Sequence, residues 1–338
     1  MNMTLNIGVI GAGRIGKLHA ENLVNRVSGA QVLAIADVLP EAAKDAAAKL
    51  NIPLATADYQ EILAHPAIEA VAICSATDTH SQIIIEAAQA GKHIFCEKPI
   101  DYDLARIDAA LAVVAKAGVK LQIGFNRRFD PNFHRVYDVV RSGAIGDPHV
   151  LRITSRDPAP PPISYVKVSG GLFLDMAIHD FDMACFLMQS PVTEVFAAGA
   201  VLVDPAIGEA GDVDTAITTL RFANGAVGVI DNSRKAIYGY DQRVEIFGSG
   251  GAVSTENNTP YRTVVSDTNG VHSPLPLYFF LERYNDSYII EMQAFVNAIA
   301  KGEAPPVNGA EGRAPVVIGL AATKSYKENR PVKISEIG

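Results

Sequence analysis

The sequence predicts an α/β protein in two parts. An N-terminal doubly wound parallel sheet of Rossmann type is followed by an α/β domain with a large, open, mostly antiparallel sheet. Three observations predict this. Up to about residue 125, short apolar runs alternate with alanine-rich helical segments, the pattern of βαβ units. Beyond that point apolar and polar residues alternate over longer runs, as in a sheet covered on one face. The first apolar run also leads straight into Gly11-Ala12-Gly13-Arg14-Ile15-Gly16, a glycine-rich turn at the place where such sheets make their first crossover.

In the first part, strands are expected at 5–10, 31–36, 70–74, 93–96 and 120–125, with helices at 15–26, 40–49, 80–90 and 103–117. Their alternation requires right-handed crossovers, so 1–125 reads as one dinucleotide-binding domain. In the second, 126–338, strands at 150–154, 213–222, 226–232 and 242–247 are separated by Gly, Asn and Pro turns. Helices at about 284–300 and 310–327 close the chain. The stretch Asp157-Pro158-Ala159-Pro160-Pro161-Pro162 reads as a rigid surface loop, because strand and helix signals resume directly after it.

Composition narrows the function classes. A length of 338 residues, 49% hydrophobic and 20% charged, suits about two soluble domains. A net charge of −8 with both signs scattered offers no basic patch for nucleic acid or an anionic membrane. No run of 18 apolar residues occurs, and the N-terminus enters a strand instead of a cleavable leader. Cys74, Cys96 and Cys185 are widely spaced and read as small buried thiols, so a cytoplasmic protein is expected.

Three features carry chemistry. Gly11, Gly13 and Gly16 permit a tight turn and close backbone approach to a pyrophosphate at a helix N-terminus. Asp37 closes the next apolar run 21 residues past Gly16, where an acid accepts hydrogen bonds from ribose hydroxyls. That carboxylate repels a 2′-phosphate, and Val38, Leu39 and Pro40 bring no Arg or Lys to offset it, so NAD is expected over NADP. Next, Glu97-Lys98-Pro99 follows directly on the strand at 93–96, placing the Lys98 ammonium where a nicotinamide and a substrate oxygen meet. Pro99 fixes this turn, with a cis peptide among its options. Finally, if a helix starts near Leu174, then Asp175, His179 and Asp182 fall at i, i+4 and i+7 as a polar stripe on an apolar helix. A buried stripe needs partners or a ligand. His179 has the titration range of a general base, oriented by Asp175. A core histidine satisfied by a neighbouring carboxylate is the structural alternative. A polyhydroxylated substrate satisfies the same groups without an ion, so no metal is assigned.

Gly11-x-Gly13-x-x-Gly16, Glu97-Lys98-Pro99, Arg127-Arg128-Phe129-Asp130-Pro131 and Asp175-x-x-x-His179-x-x-Asp182 together resemble the family of glucose-fructose oxidoreductase, inositol dehydrogenase and MocA-like proteins, over nearly the whole chain. The segments at 175–183 and 232–243 look most like its inositol-oxidising members. The resemblance implies a Rossmann domain followed by a substrate domain whose sheet buries a homotetramer interface. It implies Lys98, Asp175 and His179 as the catalytic set. Around the NAD it implies Gly11, Gly13, Arg14, Ile15, Asp37, Ala76, Thr77, His80, Glu97 and Lys98. At the substrate it implies Arg128, Asp157, Asp182 and Tyr238, with Tyr240 hard to tell from Tyr238. The implied reaction is oxidation of one secondary alcohol of a cyclic polyol, myo-inositol first, with scyllo-inositol, D-chiro-inositol or an aldose as alternatives. Two other classes stay open: a redox-silent NAD-binding sensor and NAD-dependent glycoside hydrolysis.

Overall fold

Branched and alanine-rich runs of the first 125 residues become six parallel strands in a computed structural model, which describes residues 4–338. They are β1 (Leu5–Ile10), β2 (Ala30–Ala36), β3 (Leu54–Thr56), β4 (Ala70–Ile73), β5 (His93–Glu97) and β6 (Leu121–Gly124). Between them run α1 (Arg14–Asn25), α2 (Pro40–Leu50), α3 (Tyr59–Ala64), α4 (Thr77–Gln89) and α5 (Leu104–Ala117). Strand β4 is buried along its whole length, which is why Ala70–Ile73 reads as an unbroken apolar run. The strand order β3-β2-β1-β4-β5-β6 reverses between β1 and β4. Ligands of doubly wound sheets bind at such a switch point, beyond the carboxyl ends of the strands. β3 and α3 were not foreseen, since three and six residues are too short to show a period.

Further along the chain, α6 (Pro131–Arg141) is capped by the Asp130 carboxylate, which accepts from the Asn132 and Phe133 amides. There follow β7 (Pro148–Arg156), α7 (Ile163–Val166), α8 (Leu172–Asp175), α9 (Ile178–Met188), β8 (Val192–Ala200), α10 (Pro205–Glu209), β9 (Thr215–Phe222), β10 (Val227–Ser233), β11 (Asp241–Gly248) and β12 (Gly251–Thr255). A short hairpin of β13 (Val265–Asp267) and β14 (Gly270–His272) precedes α11 (Phe280–Arg283), α12 (Asn285–Lys301), α13 (Gly309–Glu328) and β15 (Val332–Lys333). The large sheet runs β12-β11-β7-β10-β9-β8-β15; β7 and β10 are parallel and every other neighbouring pair is antiparallel. Leu151, Ile153, Leu220, Ile230 and Ile246 are buried on one face, whereas Ile217, Val227 and Phe247 stay exposed on the other. The expected mostly antiparallel sheet is therefore present. β8 escaped the pattern because its Ala-Ala-Gly-Ala end shows no contrast between faces.

The chain forms two compact units, one up to Phe129 with Asp286–Ala314, the other Asp130–Asn285 with Pro315–Gly338. This differs from a single break after 125. Met292, Phe295, Val296 and Ile299 of α12 lie in the core of the first unit with Ile7, Val9, Leu23, Ile35 and Phe95. The apolar face of α12 shows in the sequence, but not which sheet it covers.

Candidate active site

In the first unit β1 delivers the chain into the glycine turn. Gly11 has φ +101°, and a Cβ there would lie 2.5 Å from the Cys74 carbonyl oxygen. A Cβ on Gly16 would lie 1.9 Å from the Gly11 carbonyl oxygen, so neither position admits a side chain. Gly13 differs, because a Cβ there would meet nothing within 4 Å. Gly13 is the N-cap of α1, and no side chain caps that helix. That cradle fits a dinucleotide pyrophosphate. Arg14 is exposed and Ile15 half-buried beside it.

Asp37 follows β2. Its Oδ2 accepts from the Ala12 amide at 2.7 Å and its Oδ1 from the Leu39 amide at 2.9 Å. The carboxylate is thus tied to the glycine turn, the place a ribose-reading acid needs. After β4, α4 opens at Thr77 with exposed Ala76 as its N-cap and again no capping side chain. This second bare helix N-terminus flanks the switch point.

His80, expected at the cofactor, is 1% exposed and turned inward. Its Nδ1 lies 2.8 Å from the Pro99 carbonyl oxygen and its Nε2 3.1 Å from that of Ser75. It therefore ties the loop after β4 to the turn after β5. Glu97 also turns inward, its Oε1 2.7 Å from Nε2 of fully buried His19. Lys98 is half-buried at the end of β5, and the Lys98–Pro99 peptide is cis. Arg128, expected at the substrate, is buried in the 3₁₀ turn after β6 and donates to Glu311 Oε1 at 2.6 Å. Burial, followed by the charge of Glu97, pushes the thiols of Cys74 and Cys96 well up, so neither supplies a thiolate.

The imidazoles of the first unit give a pH prediction. Burial holds His80 below the ordinary histidine pKa against the pull of the two carbonyls and Glu97, with Lys98 adding to the depression. Burial and Lys120 depress His93, whose Nδ1 accepts the Lys120 amide. A folded-state pKa below the unfolded one means the unfolded chain takes the proton first. This contribution is present above the unfolded value of about 6.5 and is lost as pH falls through the depressed folded values. The urea midpoint is expected to drop between about pH 7.5 and 5.5, across that value, with a smaller drop in His80→Gln, whose amide donates without titrating.

In the second unit the expected continuous helix from Leu174 is broken. The amides of Met176 and Ala177 both bond to the Leu172 carbonyl, at 3.1 and 2.9 Å. The second of these spans five residues, the signature of an extra residue in the turn. Asp175 therefore ends α8, while His179 and Asp182 lie on α9. His179 is half-buried and Asp182 is 1% exposed. Asp175 Oδ1 accepts from the Tyr165 hydroxyl at 2.9 Å, and Oδ2 from Arg234 Nη1 at 3.3 Å. Neither partner was foreseen. Arg234 directly follows β10, and a charge ending an apolar strand is the signal that could have found it.

Asp157 is half-buried just after β7, held by backbone bonds to Ser233 and Ala236. Tyr238 donates to Asp241 Oδ2 at 2.7 Å and accepts from Arg156 at 3.0 Å, in a network with Asp231 and Arg243. Burial and the bond to Asp241 push its pKa up, so it stays a donor. Tyr240 is buried edge-on to Tyr284.

Residues 5–125 match the model of the oxidoreductase family with an NAD-binding Rossmann fold, and residues 133–254 match the GFO/IDH/MocA C-terminal domain. The chain is 51% identical to a myo-inositol 2-dehydrogenase of Thermotoga maritima, over 98% of this chain and 99% of that protein. The chain belongs to the GFO/IDH/MocA oxidoreductase family. An inositol 2-dehydrogenase of Rhizobium meliloti is 46% identical, over 98% of this chain and all of that one. The crystal structure of a probable dehydrogenase from Thermotoga maritima superposes with a TM-score of 0.97 at 51% identity, covering 99% of this chain and 100% of that one. This oxidoreductase thus uses NAD, in agreement with its glycine cradle and Asp37.

Proposed function

We propose that the chain oxidises one secondary alcohol of a cyclic polyol, with myo-inositol as substrate and 2-keto-myo-inositol as product. The observation that carries this reading is the full-length identity to a myo-inositol 2-dehydrogenase. Lys98, Asp175 and His179 are its catalytic set. NAD, when bound, accepts the carbinol hydride. His179 takes the hydroxyl proton, a task suited to an imidazole. Lys98 donates to the same oxygen and stabilises its developing negative charge, a role that mutagenesis elsewhere values at about 3–4 kcal/mol. Asp175 holds the imidazole tautomer, and Asp182 with Asp157 accepts from neighbouring hydroxyls. Because Arg128 and Tyr238 are engaged with Glu311 and Asp241, their part is to shape the site.

The same reading includes a homotetramer formed through the sheet face that exposes Ile217, Val227 and Phe247. It also includes residence in the cytoplasm, supported by two deeply buried thiols. No helix among the described residues is long and apolar enough to cross a membrane.

The test is NADH absorbance when the purified protein meets NAD and myo-inositol, with scyllo-inositol, D-chiro-inositol and glucose alongside. Turnover is expected to be fastest on myo-inositol. Faster turnover on another polyol would replace the substrate and keep the enzyme class. No turnover on any of them would return the sensor and glycoside hydrolase readings. A lower KM for NADP than for NAD would overturn the reading of Asp37.

A further inference from the structure

We propose that Arg234, together with Tyr165, is a positioning residue that fixes the Asp175 carboxylate against which His179 works; this rests on the proposed roles of Asp175 and His179. The need arises from the broken helix. On one continuous helix, Asp175 and His179 would share a face by spacing alone. Here α8 stops at Asp175, and the turn carries an extra residue before α9 begins. Helix geometry therefore does not hold the carboxylate in register with the imidazole, and side chains must.

Arg234 has the placement for this. Its amide donates to the Asp214 carbonyl at 2.8 Å, anchoring it just beyond β10. Its side chain is 1% exposed, so the guanidinium is committed to the groups around it. Nη1 donates to Asp175 Oδ2 at 3.3 Å, and Nη2 lies 3.5 Å from Asp212 Oδ2. Asp212 is itself fixed, because its Oδ1 accepts the amide of Leu172, the first residue of α8. Gly171 makes that approach feasible, since with φ +80° a Cβ there would stand 2.9 Å from Asp212 Oδ1. One guanidinium thus joins the start of α8 to its last residue through two carboxylates. Without it, two carboxylates that share a single cation would be left without that partner in a largely buried setting. Lysine, a point charge without the planar fork, holds two carboxylates in a less defined geometry.

Tyr165 completes the arrangement from the other side. It sits on α7, just past the proline-rich loop, and is 48% exposed, yet its hydroxyl donates to Asp175 Oδ1 at 2.9 Å. Both oxygens of the carboxylate are therefore held, one by a buried cation and one by a surface phenol. A misplacement of about 1 Å in such a group costs on the order of a hundredfold in rate.

The experiment compares Arg234→Gln, Arg234→Lys, Tyr165→Phe and Asp175→Asn on the intact protein. It measures kcat, NAD affinity by fluorescence titration, circular dichroism, and the primary deuterium isotope effect on polyol oxidation. Arg234→Gln is expected to lose kcat by about a hundredfold with unchanged NAD affinity and a larger isotope effect, because the chemical step becomes slow. Arg234→Lys should fall between it and wild type. Tyr165→Phe should shift both readouts in the same direction by about three- to tenfold in kcat, the worth of one hydrogen bond. Folded Arg234→Gln and Tyr165→Phe with near-normal kcat and isotope effect, beside an inactive Asp175→Asn, would overturn the positioning role and leave the catalytic set standing. An active Asp175→Asn would overturn both. If Arg234→Gln does not fold, Tyr165→Phe decides, since loss of an exposed hydroxyl spares the core; an unchanged isotope effect there counts against the proposal.

Discussion

His179→Ala and Lys98→Ala should each give a folded protein that scarcely turns over. For His179 the expected loss in kcat is on the order of 10²–10⁴-fold, the usual contribution of a positioned general base. For Lys98 it is about 10²–10³-fold, the usual cost of removing one donor to a developing oxyanion. Both side chains are half-buried and neither belongs to the hydrophobic core, so circular dichroism and the melting curve should stay close to wild type. The proposed NAD cradle, the backbone of the Gly11–Gly16 turn with Asp37, does not include His179, so NAD affinity should persist in His179→Ala. If base and donor serve one proton transfer as proposed, the double variant should lose much less than the product of the two single losses. Near-normal kcat in either single variant removes that residue from the mechanism. A loss that appears only in KM would recast it as a binding group.

What the sequence made legible was local. A glycine turn between an apolar strand and a helix is defined by residues within one stretch of chain, and so are Asp37 at the end of β2 and Lys98 at the end of β5. The Rossmann strands that were foreseen lie within about two residues of their expected ends, because each is flanked by turn residues. What stayed hidden depends on partners far along the chain. Segment 172–188 contains no proline or interior glycine, so nothing in it announces the extra residue at Met176–Ala177. Arg234 has no role legible in the sequence until Asp175, 59 positions away, is seen beside it. Arg128 and Tyr238 are polyol ligands by motif alone, and nothing in the sequence shows their bonds to Glu311 and Asp241. His80 matched a cofactor motif by position, yet the two carbonyls it meets come from separate loops. In each case the residue type was chemically apt, and only three-dimensional proximity decides whether its polar atoms serve a ligand or the fold.

Phe295→Ala should be the most damaging single truncation of this group, although it lies far along the chain from the strands it covers. Phe295 is fully buried, its ring 6.0 Å from that of Phe95 in an edge-on arrangement. The Phe95 ring in turn lies 5.1 Å from the His19 imidazole, which holds Glu97. The core that α12 completes also contains Ala12 and Cys74, residues adjoining the glycine turn. Removing a buried phenyl ring costs about 3–5 kcal/mol through lost transfer energy and the cavity left behind. That is a large share of the 5–15 kcal/mol that holds a typical domain together. The urea midpoint should fall accordingly. Because NAD binds only the folded cradle, saturating NAD should restore part of the loss. Phe186→Ala is the control, since this ring stacks on Tyr137 in the other unit and is only half-buried; it should cost less. If α12 were a surface helix of a separate C-terminal domain, Phe295→Ala would shift stability by less than about 1 kcal/mol, as surface substitutions do. A shift of that size would restore the single boundary after residue 125. The larger one would establish that a nucleotide-binding unit cut at that boundary lacks part of its own core.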